Sequence, residues 1–189
     1  MGGGNFDSDS YTRTQQTRAA QGLTGVNGFT QRGLHAALDP LSVNNNGMHT
    51  GLNIRESLDS PEHPNSQAIA IMFDTTGSMR QIPAIFQEKL GDIYSLLLAK
   101  GYVEDPQVLI GAFDDAWVQR TAALQVSQFE SDNRVDEAVR NVYLTGNGGG
   151  NQFESYALAL YFIAFHTYID CWEQRGQKGF LFLSGDETC

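Results

Sequence analysis

The fold is decided by the stretch Ile69-Ala-Ile-Met-Phe-Asp74-Thr-Thr-Gly-Ser78-Met79, in which an apolar run ends in a carboxylate. Such an uninterrupted apolar run is typical of a central parallel strand that is buried on both faces. Asp74, Thr76 and Ser78 follow at spacings of two, where a doubly wound sheet binds its ligands. Carboxylate and hydroxyl oxygens suit a hard cation such as Mg²⁺. The stretch therefore predicts half of a cation site at the end of this strand.

Downstream of this stretch the chain alternates between helix and strand patterns, which predicts an α/β fold with a mostly parallel sheet. Apolar residues at spacings of three and four predict a helix from about Ile82 to Lys100, and Gly101 is a suitable end signal. Pro83 favours a helix that begins a few residues after Ser78, although Ser78 also fits a helix cap.

Three further strands and two further helices are predicted in the second half of the chain. Val108–Phe113 is a strand, and a second strand over 117–126 pairs with it antiparallel across an exposed Asp114-Asp115 turn. A short helix begins near Ser131, a long apolar core helix runs from Tyr156 to about Trp172, and Phe180–Ser184 is a last buried strand.

A second acidic residue, Asp186, also follows an apolar strand, and a glycine-rich loop over 145–154 lies between the two strands in sequence. In a parallel sheet these segments converge on one end. We therefore expect five oxygen ligands, namely Asp74, Thr76, Ser78, one residue of the loop, and Asp186.

These motifs resemble the von Willebrand factor type A (VWA) domain and its metal-ion-dependent adhesion site (MIDAS). Phe-Asp-Thr-Thr-Gly-Ser-Met matches that family's Asp-x-Ser/Thr-x-Ser motif, and the resemblance covers about residues 67–189. The usual Gly-Gly-x-Thr loop is replaced by Gly-Gly-Gly-Asn-Gln-Phe-Glu, similar to a variant branch common in prokaryotes and their phages. Asn151 is then the best candidate for the loop ligand, with Thr145 and Glu154 as rivals. Asp186 lies one position later than in the commoner pattern.

The resemblance implies a Rossmann-like, doubly wound sheet of six strands with one antiparallel edge strand. The chain supplies four of these strands, so we expect a VWA-like domain over 67–189 that lacks the last strands. The apolar strand Phe180–Ser184 needs a neighbour, because an open apolar edge invites aggregation. The sequence is then a fragment or a truncated product, or a partner supplies the strand in trans.

Residues 1–66 are rich in Gly, Ser, Thr, Asn and Gln, and their apolar residues are too scattered to build a core. This composition predicts a low-complexity, flexible N-terminal segment. The net charge of −10 argues against binding to nucleic acid or an anionic membrane. Two cysteines without framework spacing, no signal peptide and no membrane span together predict a cytoplasmic protein.

The resemblance implies a divalent-metal-dependent protein-binding module, in which bound Mg²⁺ or Mn²⁺ accepts an Asp or Glu carboxylate from a protein partner. The alternative is a structural protein whose metal site is vestigial or stabilises the fold. An enzyme is disfavoured: a phosphotransferase of the haloacid-dehalogenase type needs Asp at position 76, where this chain has Thr76. No phosphate-binding loop or nucleophile elbow of the hydrolases is present in the sequence.

Overall fold

The computed structural model describes residues 4–42, 54–117, 122–146 and 155–186. Two turns of 3₁₀ helix, Gly25–Gly28 and Ala36–Leu38, follow the first α-helix. The helices are α1 (Ser8–Ala20), α2 (Gln81–Ala99), α3 (Arg134–Arg140), α4 (Tyr156–Phe165) and α5 (Asp170–Glu173). The strands are β1 (Arg55–Ser57), β2 (Ser66–Asp74), β3 (Asp105–Phe113), β4 (Leu124–Glu130), β5 (Thr167–Ile169) and β6 (Phe180–Ser184).

The main sheet has the order β4-β3-β2-β6 and is mostly parallel. β2 pairs parallel with both β3 and β6, whereas β4 pairs antiparallel with β3 at the edge. A separate two-stranded parallel sheet joins β1 to β5. The predicted α/β class and the antiparallel edge strand are therefore confirmed, and the architecture is compatible with a Rossmann-like fold.

Helices cover both faces of the sheet. Alternate residues of β2 and β3 point to opposite sides, so each of these strands contributes side chains to a core on each face. Ile69 and Phe73 of β2 join one core cluster with residues of α1, α2 and α3. Ala70 and Met72 join the second cluster with residues of α4 and β4. Burial on both faces explains why β2 carries an unbroken apolar run rather than an alternating one.

The structure confirms that α2 begins a few residues after Ser78, as Pro83 indicates. The helix begins at Gln81, which places Pro83 in its first turn, where the missing N–H of proline costs nothing. Arg80 occupies the cap position and makes no side-chain capping bond. Ser78 therefore lies outside the helix cap, and its alternative interpretation as a cap is wrong.

The long helix expected from Tyr156 to about Trp172 is divided into α4, β5 and α5. His166 ends α4, and its carbonyl accepts a 2.8 Å hydrogen bond from the backbone N–H of Arg55. β5 then pairs with β1, so a contact with a distant part of the chain overrides the local helix pattern. Among the described residues, no helix is long and apolar enough to cross a membrane.

The antiparallel strand after β3 begins later than the sequence pattern suggests. The predicted strand over 117–126 starts only at Leu124, and Trp117 is 84% exposed. The carboxylate of Asp115 accepts a 2.8 Å bond from the N–H of Trp117, which holds the chain in a turn at this point. The strand's pairing was predicted correctly, and its bounds were not.

The described part of the N-terminal segment packs on the sheet domain instead of lying apart from it. Tyr11 of α1 donates its hydroxyl to the carbonyl of Gln87, and Phe6 stacks on Tyr94 at 4.3 Å between ring centroids. Phe29 and Leu38 are buried in or against the same core. These apolar residues build no core of their own, as expected, but they complete that of the sheet.

β6 forms the other edge of the main sheet as described, and its side chains remain accessible. Phe180 is 48% exposed and Phe182 is 57% exposed, although β6 pairs with β2 over five residues. A groove of about 460 Å³ runs between β6 and α2, lined by Ile82, Phe86 and other apolar residues. The strand was expected to be buried, and this expectation is wrong for the described residues.

Candidate metal centre

Three strands bring carboxylates to one end of the sheet. Asp74 is the last residue of β2 and is paired in register with Phe113, so Asp114 follows directly beside it. On the other side of β2, Ser184 is paired with Phe73, and Asp186 lies two residues further on. This is the carboxyl end of the parallel strands, where open α/β sheets bind ligands.

Asp74 is completely buried, and its two oxygens differ in their environment. Oδ1 accepts a 2.7 Å hydrogen bond from the backbone N–H of Thr76. Oδ2 has no hydrogen-bond partner among the described residues, and neither has the buried hydroxyl of Thr76. Burial raises the pKa of the Asp74 carboxyl, the N–H and the nearby hydroxyl of Thr76 lower it in part, and the negative charge of Asp186 raises it further. Two buried oxygens that lack partners are costly unless a further group binds them.

Asp114 repeats this arrangement at the end of β3 and corrects the interpretation of Asp114-Asp115 as an exposed turn. Asp114 is completely buried and Asp115 is nearly so. Oδ1 of Asp114 accepts a 2.6 Å bond from the N–H of Asp115, whereas Oδ2 has no partner among the described residues. Burial raises the pKa of Asp114, with smaller contributions from the charges of Asp74 and Asp115.

The sequence carried a signal for Asp114 that was not used. Phe113-Asp114 ends β3 as Phe73-Asp74 ends β2, so two neighbouring strands finish with the same dipeptide. In parallel strands with matched ends, the two carboxylates lie side by side. The prediction counts only Asp74 and Asp186 as acids at strand ends, and it therefore misses Asp114.

Thr145 is the loop candidate that the structure describes, and it lies next to the two carboxylates. Its hydroxyl donates a 3.0 Å bond to the carbonyl of Thr75, and the N–H of Gly146 reaches the same carbonyl at 3.3 Å. The Thr145 hydroxyl also lowers the pKa of Asp114, which otherwise is raised by burial. The lone pairs of this hydroxyl remain suited to a cation. Asn151 and Glu154, the other two loop candidates, lie outside the described residues.

Ser78 and Asp186 lie on the solvent side of the centre. Both are exposed, in contrast to the buried Asp74 and Thr76. Asp186 is close enough for its charge to affect the pKa of Asp74. The preceding residue, Gly185, lets the backbone pass close to Tyr156, since a Cβ atom at this position would overlap the Tyr156 side chain. The centre thus has a buried half and a half open to solvent.

The donor set fits a hard cation. Three buried oxygens without partners come from Asp74, Thr76 and Asp114, and carboxylate and hydroxyl oxygens are the ligands of Mg²⁺ and Mn²⁺. In the described ranges, no three His, Cys, Asp or Glu side chains form one metal-binding group. A cation here would therefore rely on hydroxyl groups and water in addition to carboxylates, which Mg²⁺ accepts readily.

Comparisons with protein-family models, with curated proteins and with solved structures found no match to this chain. Its function must consequently be argued from the geometry of the site.

Proposed function

We propose that this chain is a divalent-metal-dependent protein-binding module of the VWA type. In this proposal Asp74, Thr76, Ser78, Asp114 and Asp186 hold Mg²⁺ or Mn²⁺ directly or through water, and a loop residue completes the set. An Asp or Glu carboxylate of a protein partner then binds the ion from the solvent side. The ion supplies positive charge that attracts this carboxylate.

One observation carries the proposal: the buried oxygens of Asp74, Thr76 and Asp114 have no hydrogen-bond partner among the described residues. Native structures rarely leave such groups unsatisfied, since each costs about 1–3 kcal/mol. Two of these oxygens belong to neighbouring carboxylates: burial and, to a smaller extent, the charge of Asp74 raise the pKa of Asp114, so a hydrogen-bond donor for one would leave the other unfavourable. A divalent cation satisfies both at once.

The open half of the centre favours a binding role over a purely structural one. A metal that only stabilises a fold is normally closed off by protein ligands, whereas a metal that binds a partner keeps an open position. Ser78 and Asp186 are exposed, so the ion would remain accessible from their side.

The first test is thermal unfolding in Mg²⁺, Mn²⁺ or EDTA. A ligand that binds only the folded state stabilises it by about 2.7 kcal/mol at 100 times its Kd. We expect this increment in the native chain and its loss in Asp74→Ala. Asp92→Ala is the control, because Asp92 is an exposed acid of α2 that pairs only with Lys89 among the described residues. A metal response retained in Asp74→Ala would refute the site.

The second test separates binding from scaffolding. A fluorescent peptide with one Asp between glycines is compared with its Asn counterpart, in Mg²⁺ and in EDTA. A binding module retains the Asp peptide only with metal, because the carboxylate is the metal's ligand. Metal-dependent stability without any preference for the Asp peptide would instead favour the structural alternative.

A further inference from the structure

A polar cavity of about 270 Å³ lies next to the candidate metal centre, between the N-terminal segment and the loops that follow β2 and α3. The N-terminal segment contributes Asn27, Gln31 and Arg32 to its lining. Arg80 and Leu144 form the opposite wall. Two arginines therefore line one small cavity in a chain whose net charge is −10.

The wall that contains Arg80 is continuous with the metal centre. Arg80 lies two residues after Ser78, and its Nη1 is 3.9 Å from the position that a Cβ of Gly146 would occupy. Gly146 in turn bonds to the carbonyl of Thr75 and lies against Gly77, whose Cβ position is 3.4 Å from the Gly146 carbonyl oxygen. The Arg80 side chain thus lies beside the same backbone that carries the proposed ligands.

Neither arginine of the cavity pairs with a carboxylate of the described residues. Arg32 reaches only the carbonyl of Gln31, at 3.4 Å, and Arg80 has no hydrogen bond or ion pair there. By contrast, Arg134, Arg140 and Arg175 each pair with an acidic side chain. Arg13, Arg18 and Arg55 also lack an acidic partner among the described residues, but each donates to a hydroxyl or to a carbonyl other than that of its neighbour in the chain. Arg32 and Arg80 differ from them in that both line this cavity.

We propose that this cavity binds a second acidic group of the partner segment whose first carboxylate reaches the metal. This inference rests on the proposed function and specifies the partner as a peptide segment with two acidic side chains a few residues apart. Guanidinium groups bind carboxylates through two parallel hydrogen bonds, and this geometry gives specificity as well as attraction. The N-terminal segment thereby forms part of the binding surface through Arg32.

The test uses fluorescence anisotropy with the full chain and a short series of labelled peptides. Each peptide contains an Asp followed, after zero to three glycines, by a Glu, and each has a matched peptide with Gln in place of that Glu. With Mg²⁺, we expect the best diacidic peptide to bind roughly tenfold more tightly than its Gln counterpart, the increment expected for one charge-assisted contact. This ratio should fall to about one in Arg80→Gln and in Arg32→Gln.

Lys100→Gln is the matched control, because it removes one positive charge from the exposed far end of α2. It should leave the tenfold ratio unchanged, which separates a local contact from the general effect of net charge. Both arginines are exposed, so their variants should unfold at the native temperature. Equal affinity for the two peptides, no binding of any peptide at millimolar concentration, or a ratio that survives both arginine substitutions would overturn the proposal.

Two further arms distinguish the sources of the anion and the two proposals. Inorganic phosphate that binds in an Arg80-dependent manner, while the Glu and Gln peptides bind with equal affinity, would identify a phosphate pocket and refute the acidic segment. A Glu preference that persists in EDTA and depends on Arg80 would support the cavity even if the metal site fails. Metal-dependent binding without a Glu preference would support the metal site and refute the cavity.

Discussion

Replacing Asp114 with Asn should affect stability in opposite directions with and without metal. Asn keeps the shape of the side chain and its Oδ1 still accepts the bond from the N–H of Asp115. The substitution removes one of two adjacent buried carboxylates, and burial together with the charge of Asp74 raises the pKa of Asp114. In EDTA we therefore expect Asp114→Asn to be more stable than the native chain by on the order of 1 kcal/mol.

With saturating metal the order should reverse. At 100 times its Kd, metal stabilises the native chain by about 2.7 kcal/mol. For a chain of this size, 1 kcal/mol corresponds to about 2–4 °C in Tm, so the native Tm should rise by roughly 5–11 °C. The variant lacks one buried oxygen anion of the centre and should gain little. The Tm of the variant is then about 2–4 °C above the Tm of the native chain in EDTA, and it is below the Tm of the native chain in Mg²⁺.

The assay is differential scanning calorimetry in EDTA and in stepwise Mg²⁺, and Asp136→Asn is the matched control. Asp136 is also buried, but its carboxylate is fully paired with Gln15, Gln87 and Arg140 at 3.0–3.1 Å. Its substitution should cost about 1–3 kcal/mol in both conditions and leave the metal increment unchanged. Should Asp114→Asn behave like Asp136→Asn, the buried oxygens of this centre do not bind a cation.

Four further outcomes follow from the structure. Arg55→Met should lower the free energy of unfolding, measured by urea titration, by about 2–4 kcal/mol. The buried guanidinium donates to three backbone carbonyls, which would lose their donor. A change below about 1 kcal/mol would contradict this role. Gly111→Val should cost about 1–3 kcal/mol by the same method, since a Cβ there overlaps the side chain of Met72. Phe182→Lys should reduce self-association in sedimentation velocity runs, because this exposed residue of β6 makes the sheet edge apolar. A native chain that sediments as a monomer at high concentration would contradict association through this edge. The two buried carboxyls of the metal centre have raised pKa values, so the folded state holds their protons at higher pH than the unfolded state. Stability in EDTA should then fall as pH rises from about 4 through the raised pKa range, while stabilisation by Mg²⁺ should grow over that range; Tm series at several pH values with and without EDTA measure both.

The parts of the fold that follow from local pattern were predictable. β2, α2 and α3 were expected near their observed positions, because an unbroken apolar run or a period of three to four residues reports burial directly. Asp74 and Thr76 were assigned from their place at a strand end, and the structure gives both buried oxygens without partners among the described residues. The role of these two residues as metal ligands stays a prediction, whereas the positions of the three elements follow from local periodicity.

The failures occurred where a distant contact decides the outcome. The apolar segment after Tyr156 has a helical composition throughout, yet β5 pairs with β1, more than a hundred residues away in the chain. The N-terminal segment has a polar composition, and a few residues such as Tyr11 attach it to α2, where Gly91 leaves room for the ring. Neither contact has a signature in its own local sequence.

Asp114 shows why site residues are harder to assign than strands. Two adjacent acids after a strand are usually solvated, and a single sequence gives no direct measure of their exposure. The deciding fact is the register of β2 and β3, which ends both strands at the same level and places Asp114 beside Asp74. Once this pairing is known, the repeated Phe-Asp dipeptide requires both carboxylates to share one buried space. Each carboxylate accepts one backbone hydrogen bond. A buried pair of like charges stays unfavourable without further compensation, and a cation would supply it, which is the physical argument for the metal site proposed above.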